Sequence, residues 1–373
     1  MSNDRSSASA AGSRDTHFMR RALELAEIGR WSAPPNPTVG AVIVAGDSIV
    51  GEGFHLRPGA PHAEIVALDK AGEQSRGASL YVNLEPCNHH GRTPPCTISI
   101  IEAGISRVIV PCMDPSPAVS GRGLDRLRNA GIEVVEEVEC QAARRLNERH
   151  FRAAEEGRPV VVARVARTLD GRIALHGPET LAITGESAKQ YVGLRRSEVD
   201  AIMVGKGTML ADDPRLNARA VDGSLLSRQP VRVIADAALD TPVDATILSE
   251  PGGRVLLMAA DDGINDSRKK KLEEAGAVII RLPVDAEGHF EALTLLRVLA
   301  AEGINSLLVE GGGKLLSSFA AKDLIDFWQI WIGPKIVGAG RGVLFDALET
   351  PIHLGPLHTV EVGEDLLVSA FPE

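Results

Sequence analysis

Apolar positions in the first half of the chain alternate between the spacing of a helix and that of a strand. Five apolar residues recur every three or four positions and predict a first helix over residues 16–28: Phe18, Met19, Ala22, Leu25 and Ala26. Short apolar runs predict strands at 41–44, 49–50, 79–84, 107–110 and 132–135. Helical spacing returns between them, at 61–71, 97–103, 124–130 and 141–154. Strands separated by helices of this length predict a sheet that is covered on both faces.

The second half shows the same alternation after an interruption. Residues 155–159 form a charged stretch with glycine and proline, which predicts a domain boundary. Beyond it, strands are predicted at 160–166, 201–204, 231–235, 255–258, 278–280, 306–309, 327–332 and 366–370, and helices at 187–197, 267–275, 293–300 and 314–321. A length of 373 residues suits two domains. We therefore predict a disordered tail over residues 1–15 and two α/β domains over 16–155 and 156–373.

Composition and charge narrow the classes of partner. The formal net charge of -10 and the 3% of aromatic residues argue against nucleic-acid binding, which depends on basic patches and stacking rings. No apolar run approaches a bilayer span, and the Ser/Ala-rich N-terminus lacks the apolar centre of a signal peptide. Four cysteines do not make a disulfide framework. The sequence thus predicts a cytoplasmic protein that acts on a small molecule, without nucleic acid or membrane, and it leaves a homo-oligomer open.

One histidine, one glutamate and two cysteines carry the strongest chemical signal. His62 and Glu64 are two residues apart, and Cys87 and Cys96 follow in one Pro-rich run. One imidazole and two thiolates make a three-ligand zinc site whose fourth position stays open, as in catalytic zinc sites. Taken alone, a His-x-Glu pair is usually an ordinary helix start, and a Pro-Cys pair is usually a buried thiol. Their combination favours the metal.

Glu64 is predicted to carry protons beside that metal. Zn²⁺, two thiolates and a neutral imidazole sum to zero charge, so water there is less acidic than at a three-histidine site and needs a nearby base. Glu64 can take the proton of the attacking water and deliver it to leaving ammonia. His-x-Glu with Pro-Cys-x-x-Cys is the signature of zinc nucleobase deaminases, although eight residues separate Cys87 from Cys96 here. Cys112 and Cys140 show no such pattern and are interpreted as small core residues.

With these motifs the chain resembles the bifunctional deaminase–reductase family of riboflavin biosynthesis. The resemblance rests on residues 36–40, on His62-Ala63-Glu64 and on the whole run 85–96, whose His-His-Gly-Arg-Thr-Pro-Pro loop explains the wide cysteine spacing. It continues through 114–115, 121–123, 169–171, 183–185, 208–216 and 310–312, and so over nearly all of the chain beyond residue 15. It implies a cytidine-deaminase-like first domain with three α/β/α layers and a second α/β domain similar to dihydrofolate reductase.

The resemblance also implies two reactions and their residues. The first domain would use Zn²⁺ to remove the 2-amino group of 2,5-diamino-6-(5-phosphoribosylamino)pyrimidin-4-one, and the second would use NADPH to reduce the ribosyl group to ribityl. The zinc ligands match His62, Cys87 and Cys96, and the catalytic residue matches Glu64. Cofactor-binding positions match Arg167, Ala182, Thr208, Asp212, Ala237, Gly312, Gly313, Lys314, Leu315, Leu316, Ser317 and Ser318. Substrate-binding positions match Asn36, Thr180, Arg196, Leu216, Arg219 and Glu310.

Local features of the second half bear on the nucleotide site independently. The predicted strand 306–309 runs into a glycine turn and a helix, and such a turn presents N–H groups to a phosphate. A plain strand-to-helix turn explains the motif equally well. The run 205–208 lacks the upstream glycine of a P-loop, because Asp200 stands there, which argues against nucleotide hydrolysis. Arg196 and Arg219 can bind a phosphate by bidentate contacts, though isolated arginines are more often surface charges.

Three departures from the family pattern keep an alternative open. Arg164 stands where lysine is usual, Thr168 where serine is usual and Ala182 where tryptophan is usual. Arginine keeps its proton, so an acid–base role of that lysine would not transfer. One alternative is therefore a deaminase whose C-terminal half binds nucleotide or mediates assembly without reductase turnover. The other, a deaminase of bases in RNA, is disfavoured by the net charge of -10 and leaves the second half unexplained.

Overall fold

The computed structural model describes residues 4–30, 32–34, 36–88, 94–116, 119–174, 181–310, 312–343 and 348–373, with side chains from residue 12 onward. The chain divides into two compact units, Met1–Gly157 and Arg158–Glu373. The division falls two residues after the boundary predicted within the charged stretch 155–159. Each unit has its own sheet and its own buried clusters.

The first unit is built on one mixed sheet. Its elements are α1 (Asp4–Ile28), β1 (Gly40–Ala45), β2 (Ser48–Phe54), α2 (Ala63–Ala71), β3 (Ser79–Val82), α3 (Cys96–Glu102), β4 (Arg107–Ile109), α4 (Arg122–Asn129), β5 (Glu133–Val135), α5 (Cys140–Leu146) and α6 (Glu148–Glu156). The strand order is β2-β1-β3-β4-β5, with β1 antiparallel to both of its neighbours and the last three strands parallel.

Alternate residues of β1 separate two helical layers. Ala41 and Ile43 belong to a buried cluster with residues of α2, α3 and α4. Val42 and Val44 belong to a second buried cluster with residues of α1. Because successive side chains of a strand point to opposite faces, the sheet lies between helices on both sides. The predicted three-layer α/β/α arrangement is confirmed.

The N-terminal helix is longer than the sequence indicates. Helix α1 begins at Asp4, whereas the sequence predicts a disordered tail over residues 1–15. A Ser/Ala-rich composition is typical of disorder, but alanine also has the highest helix propensity. Asp15 is buried, and its carboxylate accepts hydrogen bonds from Arg107 at 2.9 Å and from the hydroxyl of Tyr81 at 2.8 Å. These contacts anchor the helix to β3 and β4.

Replacing Asp15 with asparagine is expected to lower the free energy of unfolding of the first unit by about 1–3 kcal/mol, because charge-assisted hydrogen bonds are lost in a buried place. Asp125→Asn provides the matched control. Its carboxylate is largely exposed beside Arg128, so its removal is expected to cost less than about 0.5 kcal/mol. Urea denaturation measures both variants. Equal losses would contradict the anchoring role of Asp15.

The predicted helix 141–154 is divided in the structure. Asn147 separates α5 from α6, and its side-chain amide pairs with the main chain of Thr38. Its oxygen accepts the Thr38 N–H at 2.7 Å, and its nitrogen donates to the Thr38 carbonyl at 3.0 Å. Sequence periodicity does not reveal this contact because the partners are 109 positions apart.

The second unit is built on a nine-stranded sheet. Its elements are β6 (Val160–Thr168), β7 (Arg172–Ala174), α7 (Glu186–Arg195), β8 (Ala201–Gly205), α8 (Lys206–Asp212), β9 (Val231–Ala235), α9 (Thr246–Ser249), β10 (Val255–Ala260), α10 (Asp266–Glu274), β11 (Ala277–Leu282), α11 (Ala292–Ala301), β12 (Ser306–Glu310), α12 (Gly313–Ala320), β13 (Phe327–Gly333), β14 (Arg341–Gly342), β15 (His358–Val362) and β16 (Asp365–Ala370). The order is β11-β10-β9-β8-β12-β6-β13-β16-β15. The first seven strands of this order, from β11 to β13, are parallel to one another. Strand β16 is antiparallel to β13, and β15 is antiparallel to β16.

The chain reverses its direction of progress through this sheet between β8 and β12. From β8 it continues outward to β11 and then returns through α11 to place β12 between β8 and β6. In open α/β sheets, ligands bind beyond the carboxyl ends of the strands at such a reversal.

None of the helices in the described ranges is long and apolar enough to span a membrane.

Candidate zinc centre and reductase site

Two helix starts and one irregular segment bring the three predicted metal ligands together. His62 is the N-cap residue of α2, Cys96 is the first residue of α3, and Cys87 lies in the segment between β3 and α3. The Nδ1 atom of His62 lies 3.1 Å from the Sγ atom of Cys96 and 3.6 Å from that of Cys87. All three ligand atoms lie within 4.8 Å of one another. In the described part of the chain, no other His, Cys, Asp or Glu residues form such a group.

This donor set fits zinc. A tetrahedral zinc ion with Zn–S of about 2.3 Å and Zn–N of about 2.0 Å places sulfur and nitrogen ligands about 3.5 Å apart. The two nitrogen–sulfur distances, 3.1 and 3.6 Å, are close to that separation. Two thiolates and one imidazole suit zinc, and three protein ligands leave the fourth position open.

The pKa values of the two thiols are shifted in opposite directions. A hydrogen bond from the Cys96 thiol lowers the pKa of Cys87 to about 4. The backbone N–H of Cys96 also donates to the Cys87 sulfur at 3.4 Å. The same hydrogen bond raises the pKa of Cys96, and burial raises this pKa further. A divalent cation binds thiolates, so its binding releases the protons that these thiols carry.

Glu64 lies in the first turn of α2 beside this group. It is 3% exposed. Burial raises its pKa, and the charge of the neighbouring Cys87 thiolate raises this pKa further. A carboxyl group whose pKa is raised above its usual value holds a proton more readily, so it can take up and release one during a reaction. The structure thus places the predicted proton carrier next to all three predicted ligands.

His55 is a site residue that the sequence analysis missed. It is buried, its ring lies edge-on to that of His62 with centroids 5.5 Å apart, and burial lowers its pKa. Its Nδ1 atom lies 3.2 Å from the carbonyl of Pro61, and its Nε2 atom lies 3.0 Å from the side-chain nitrogen of Asn36. A neutral ring that donates from Nδ1 accepts the Asn36 amide at Nε2, so His55 orients a predicted substrate-binding residue. An isolated histidine seven positions before His62 gave no sequence signal.

The remaining two cysteines are not the isolated core residues that the sequence analysis predicts. Cys112 and Cys140 are both partly exposed. Burial raises the pKa of Cys112 to about 12, and the neighbouring Cys140 thiol contributes to this shift. The two thiols are therefore neighbours in the structure, although 28 positions separate them in the sequence.

The second candidate site centres on Glu310 at the carboxyl end of β12. Glu310 pairs in register with Arg164 on β6, and its carboxylate forms ion pairs with Arg164 and with Arg196, the latter at 2.7 and 2.9 Å. Burial alone would raise the pKa of Glu310, but the two guanidinium charges outweigh it and hold this pKa at about 2. Burial lowers the pKa of Arg164 to about 10, which still leaves it charged at neutral pH. One carboxylate thus holds two arginines at the end of the sheet.

A buried asparagine connects this cluster to two more predicted substrate-binding residues. The carbonyl of Asn217 accepts from Arg196 at 3.3 Å, and its side-chain oxygen accepts from Arg219 at 2.9 Å. Leu216, whose φ is 51°, is 1% exposed and packs in the core. Thr180 lies outside the described residues.

The nucleotide-site candidates meet at the reversal between β8 and β12. Gly312, the N-cap of α12, has a φ of 77°, and a Cβ added there would lie 3.2 Å from Oγ1 of Thr208 on α8. Because of this close approach, the backbone N–H groups at the start of α12 lie near the Thr208 hydroxyl. Together these donors suit a phosphate. The residues present therefore fit a dinucleotide at the place where the topology predicts one.

The other predicted cofactor positions differ in what they offer. Gly313, Leu316 and Ser317 are buried, Leu315 is partly buried, Lys314 is exposed, and the exposed Ser318 donates to the carbonyl of Leu315. The Nε atom of Arg167 is buried without a hydrogen-bond partner among the described residues. In the described ranges, no hydrogen bond ties Ala182, Asp212 or Ala237 to the Gly312 turn. Their cofactor roles rest on the resemblance alone.

Comparisons with known proteins cover both units. The cytidine and deoxycytidylate deaminase zinc-binding region matches residues 12–112, and the RibD C-terminal domain matches residues 159–368. The chain is 38% identical to riboflavin biosynthesis protein RibD of Aquifex aeolicus (strain VF5) over 357 residues, 95% of this chain and 97% of that protein. It is 38% identical to RibD of Escherichia coli (strain K12) over 339 residues, 88% and 90% of the two chains.

Solved structures agree with these matches. RibD of Acinetobacter baumannii, form 1, superposes with a TM-score of 0.83 at 36% identity and covers 97% of this chain and 99% of its own. A diaminohydroxyphosphoribosylaminopyrimidine deaminase/5-amino-6-(5-phosphoribosylamino)uracil reductase from Thermotoga maritima superposes with a TM-score of 0.79 at 34% identity, over 97% and 100% of the chains. The likeness therefore extends over both units.

Proposed function

Since this chain belongs to the RibD family, and is thus a bifunctional deaminase and reductase of riboflavin biosynthesis, we propose that it works with Zn²⁺, NADPH and a phosphoribosylated diaminopyrimidinone. The first unit removes the 2-amino group of 2,5-diamino-6-(5-phosphoribosylamino)pyrimidin-4-one, and the second reduces the ribosyl group of the product to ribityl. The observation that carries the proposal is the convergence of His62, Cys87 and Cys96 beside the buried Glu64. Both reactions suit the cytoplasm, where thiols such as Cys87 stay reduced.

Glu64 performs the proton transfers of the deamination. When bound, Zn²⁺ supplies a Lewis acid that makes water nucleophilic near neutral pH. Glu64 takes the proton of the water that attacks the ring carbon and passes it to the 2-amino nitrogen, which leaves as ammonia. Asn36, oriented by His55, offers amide hydrogen bonds to the pyrimidine ring. The raised pKa of Glu64 supports this role because the carboxyl must carry the proton between the two steps.

The second unit binds and orients rather than transferring protons. When bound, NADPH supplies the hydride. Thr208 and the helix start after Gly312 hold cofactor phosphate. Arg196 and Arg219, both hydrogen-bonded to Asn217, supply positive charge for the substrate phosphate. Arg164 stays charged and bound to Glu310, so it fixes this carboxylate and does not act as an acid.

A coupled assay with the purified full chain tests the proposal. Supplied with the diaminopyrimidinone phosphate alone, the protein is expected to release one ammonia per substrate. NADPH oxidation is expected to follow in equal amount when the cofactor is added. Ammonia release with tight NADPH binding but no oxidation would instead establish a second unit that binds nucleotide without turnover, the alternative that Arg164 and Ala182 raise.

Replacing Gly312 with alanine is expected to weaken NADPH binding by at least about tenfold and to leave deamination unchanged. The added Cβ meets Thr208 Oγ1, and a φ of 77° disfavours any side chain. Gly303→Ala is the matched control, because its φ of 82° imposes the same backbone strain while the added Cβ meets open space. Titration of NADPH fluorescence measures both variants. Equal weakening would show that backbone strain alone, and not the Thr208 contact, explains the effect.

A further inference from the structure

We propose that Glu85 and Asn88, the side chains that flank the ligand Cys87, are positioning residues that hold this ligand in place for the metal. They tie its segment to α4 and to the loop before α4. The inference rests on the proposed metal site and deepens it. Neither side chain is a metal ligand or an acid–base group in the reaction described above.

Cys87 needs such support because it is the one ligand that does not adjoin the start of a helix. His62 and Cys96 stand at the starts of α2 and α3, where the helices fix their main chains. Cys87 lies in the irregular segment between β3 and α3. A metal site requires all of its ligands within a narrow tolerance, and residues behind the ligands usually provide it.

Glu85 anchors the segment from one side. It is 4% exposed, and its Oε2 atom accepts the N–H of Asp114 at 3.0 Å and that of Gly121 at 2.9 Å. Its Oε1 atom accepts the N–H of Gly123 at 2.9 Å and that of Leu124 at 3.4 Å. In the described part of the chain, all hydrogen-bond partners of this carboxylate are backbone N–H groups. Both oxygens are thus committed to the loop and to the first turn of α4.

Close packing makes this connection rigid. A Cβ added at Gly123 would lie 2.2 Å from the carbonyl oxygen of Pro86 and 3.0 Å from Oε1 of Glu85. Only glycine allows the first turn of α4 to approach the main chain next to Cys87 this closely. A displacement of α4 therefore moves the ligand segment with it.

Asn88 anchors the segment from the other side. Its side-chain oxygen accepts the hydroxyl of Thr97 at 3.0 Å and a guanidinium N–H of Arg126 at 2.9 Å, and its nitrogen donates to the carbonyl of Arg122 at 3.2 Å. Thr97 follows the ligand Cys96, and its N–H donates to the carbonyl of Cys87 at 3.3 Å. Asn88 therefore joins the Cys87 segment to both α3 and α4.

Substitution of Glu85 by glutamine tests the inference in the full-length protein loaded with Co²⁺ in place of zinc. The amide keeps the size of the side chain but sets an NH₂ donor against two backbone N–H groups. We expect Co²⁺ affinity to fall on the order of 10–100-fold. We also expect the visible absorption of the thiolate-bound Co²⁺ to shift, since those bands report ligand geometry.

Two further variants separate positioning from general destabilisation. Asn88→Ala removes the second anchor from a partly exposed position and is expected to shift the same bands with little loss of stability. Asp15→Asn removes a buried carboxylate of the same unit that anchors α1, and it is expected to lower stability while leaving affinity and spectrum unchanged. If Glu85→Gln does not fold, the comparison of these two variants decides the question.

The outcomes distinguish this inference from the proposed function. Wild-type affinity and spectrum in both Glu85→Gln and Asn88→Ala would overturn the positioning role while the metal site stands. A wild-type protein that binds neither Co²⁺ nor zinc would overturn the metal site itself. A spectral shift in Asp15→Asn equal to that in the other variants would attribute the effect to stability and would likewise overturn the positioning role.

Discussion

Replacement of Glu64 by glutamine is expected to slow ammonia release on the order of 10²–10⁴-fold while zinc remains bound. Glutamine fills the same buried space but cannot take a proton from water or give one to the leaving nitrogen. His62, Cys87 and Cys96 are untouched, so the metal content is expected to stay at the wild-type level. Ammonia release and metal analysis on the same preparation measure the two effects.

The chain supplies its own controls for this variant. Oxidation of NADPH with the deaminated substrate is expected to proceed at the wild-type rate, because Glu64 belongs to the first unit and the reductase site to the second. Glu73→Gln, an exposed carboxylate in the short turn after α2, is expected to leave ammonia release unchanged. Near-normal ammonia release by Glu64→Gln would refute its assignment as the proton carrier.

Replacement of Glu310 by glutamine is expected to abolish NADPH oxidation and to destabilise the second unit by about 3 kcal/mol. Glu310 lies between Arg164 and Arg196, and its removal leaves the buried Arg164 and the partly buried Arg196 without a counter-charge. Mutual repulsion then displaces Arg196, a predicted substrate-binding residue. Thermal unfolding and the two half-reactions measure the effect, and deamination is expected to continue.

The stabilisation that Glu310 provides is expected to decrease as the pH falls. The pKa of this carboxyl is about 2 in the folded protein, below its usual value of about 4.3. A carboxyl group whose pKa is lowered by folding stabilises the protein fully when the pH is above the pKa of the unfolded state. This stabilisation is lost as the pH falls through the pKa of the folded state. The advantage of the wild type over Glu310→Gln should therefore be complete above about pH 5 and vanish toward about pH 2. An advantage that grows on acidification would contradict the ion-pair account.

Glu302→Gln is the matched control for Glu310. Glu302 forms an ion pair with Arg254 at 3.1 Å, but both side chains are more than one-third exposed. Its loss is expected to cost less than about 1 kcal/mol and to leave both reactions intact. Similar losses in the two variants would show that burial of the Glu310 cluster does not determine its importance.

The sequence indicated which three side chains would converge, because ligand chemistry requires particular residue types at particular spacings. His62, Cys87 and Cys96 converge as expected, and Glu64 lies beside them. The alternating strands and helices were equally visible, since each strand buries a short apolar run between helical layers. Short or exposed elements such as α9, β14 and β15 were missed because they carry little apolar periodicity.

Contacts between distant positions could not be predicted from one sequence. The amide of Asn147 divides a helix by pairing with Thr38, and His55 orients Asn36. The role of Arg164 depends on its register with Glu310 across neighbouring strands, which a local pattern does not contain. In each case a polar side chain is satisfied by a partner that only the fold brings near.

X-ray absorption spectroscopy at the zinc edge tests the central claim most directly. With one zinc ion per chain, the account predicts two sulfur ligands at about 2.3 Å and two nitrogen or oxygen ligands at about 2.0–2.1 Å, one of them exchangeable. Purified protein without zinc after growth in sufficient metal, or a zinc ion with four protein ligands and no exchangeable position, would contradict it.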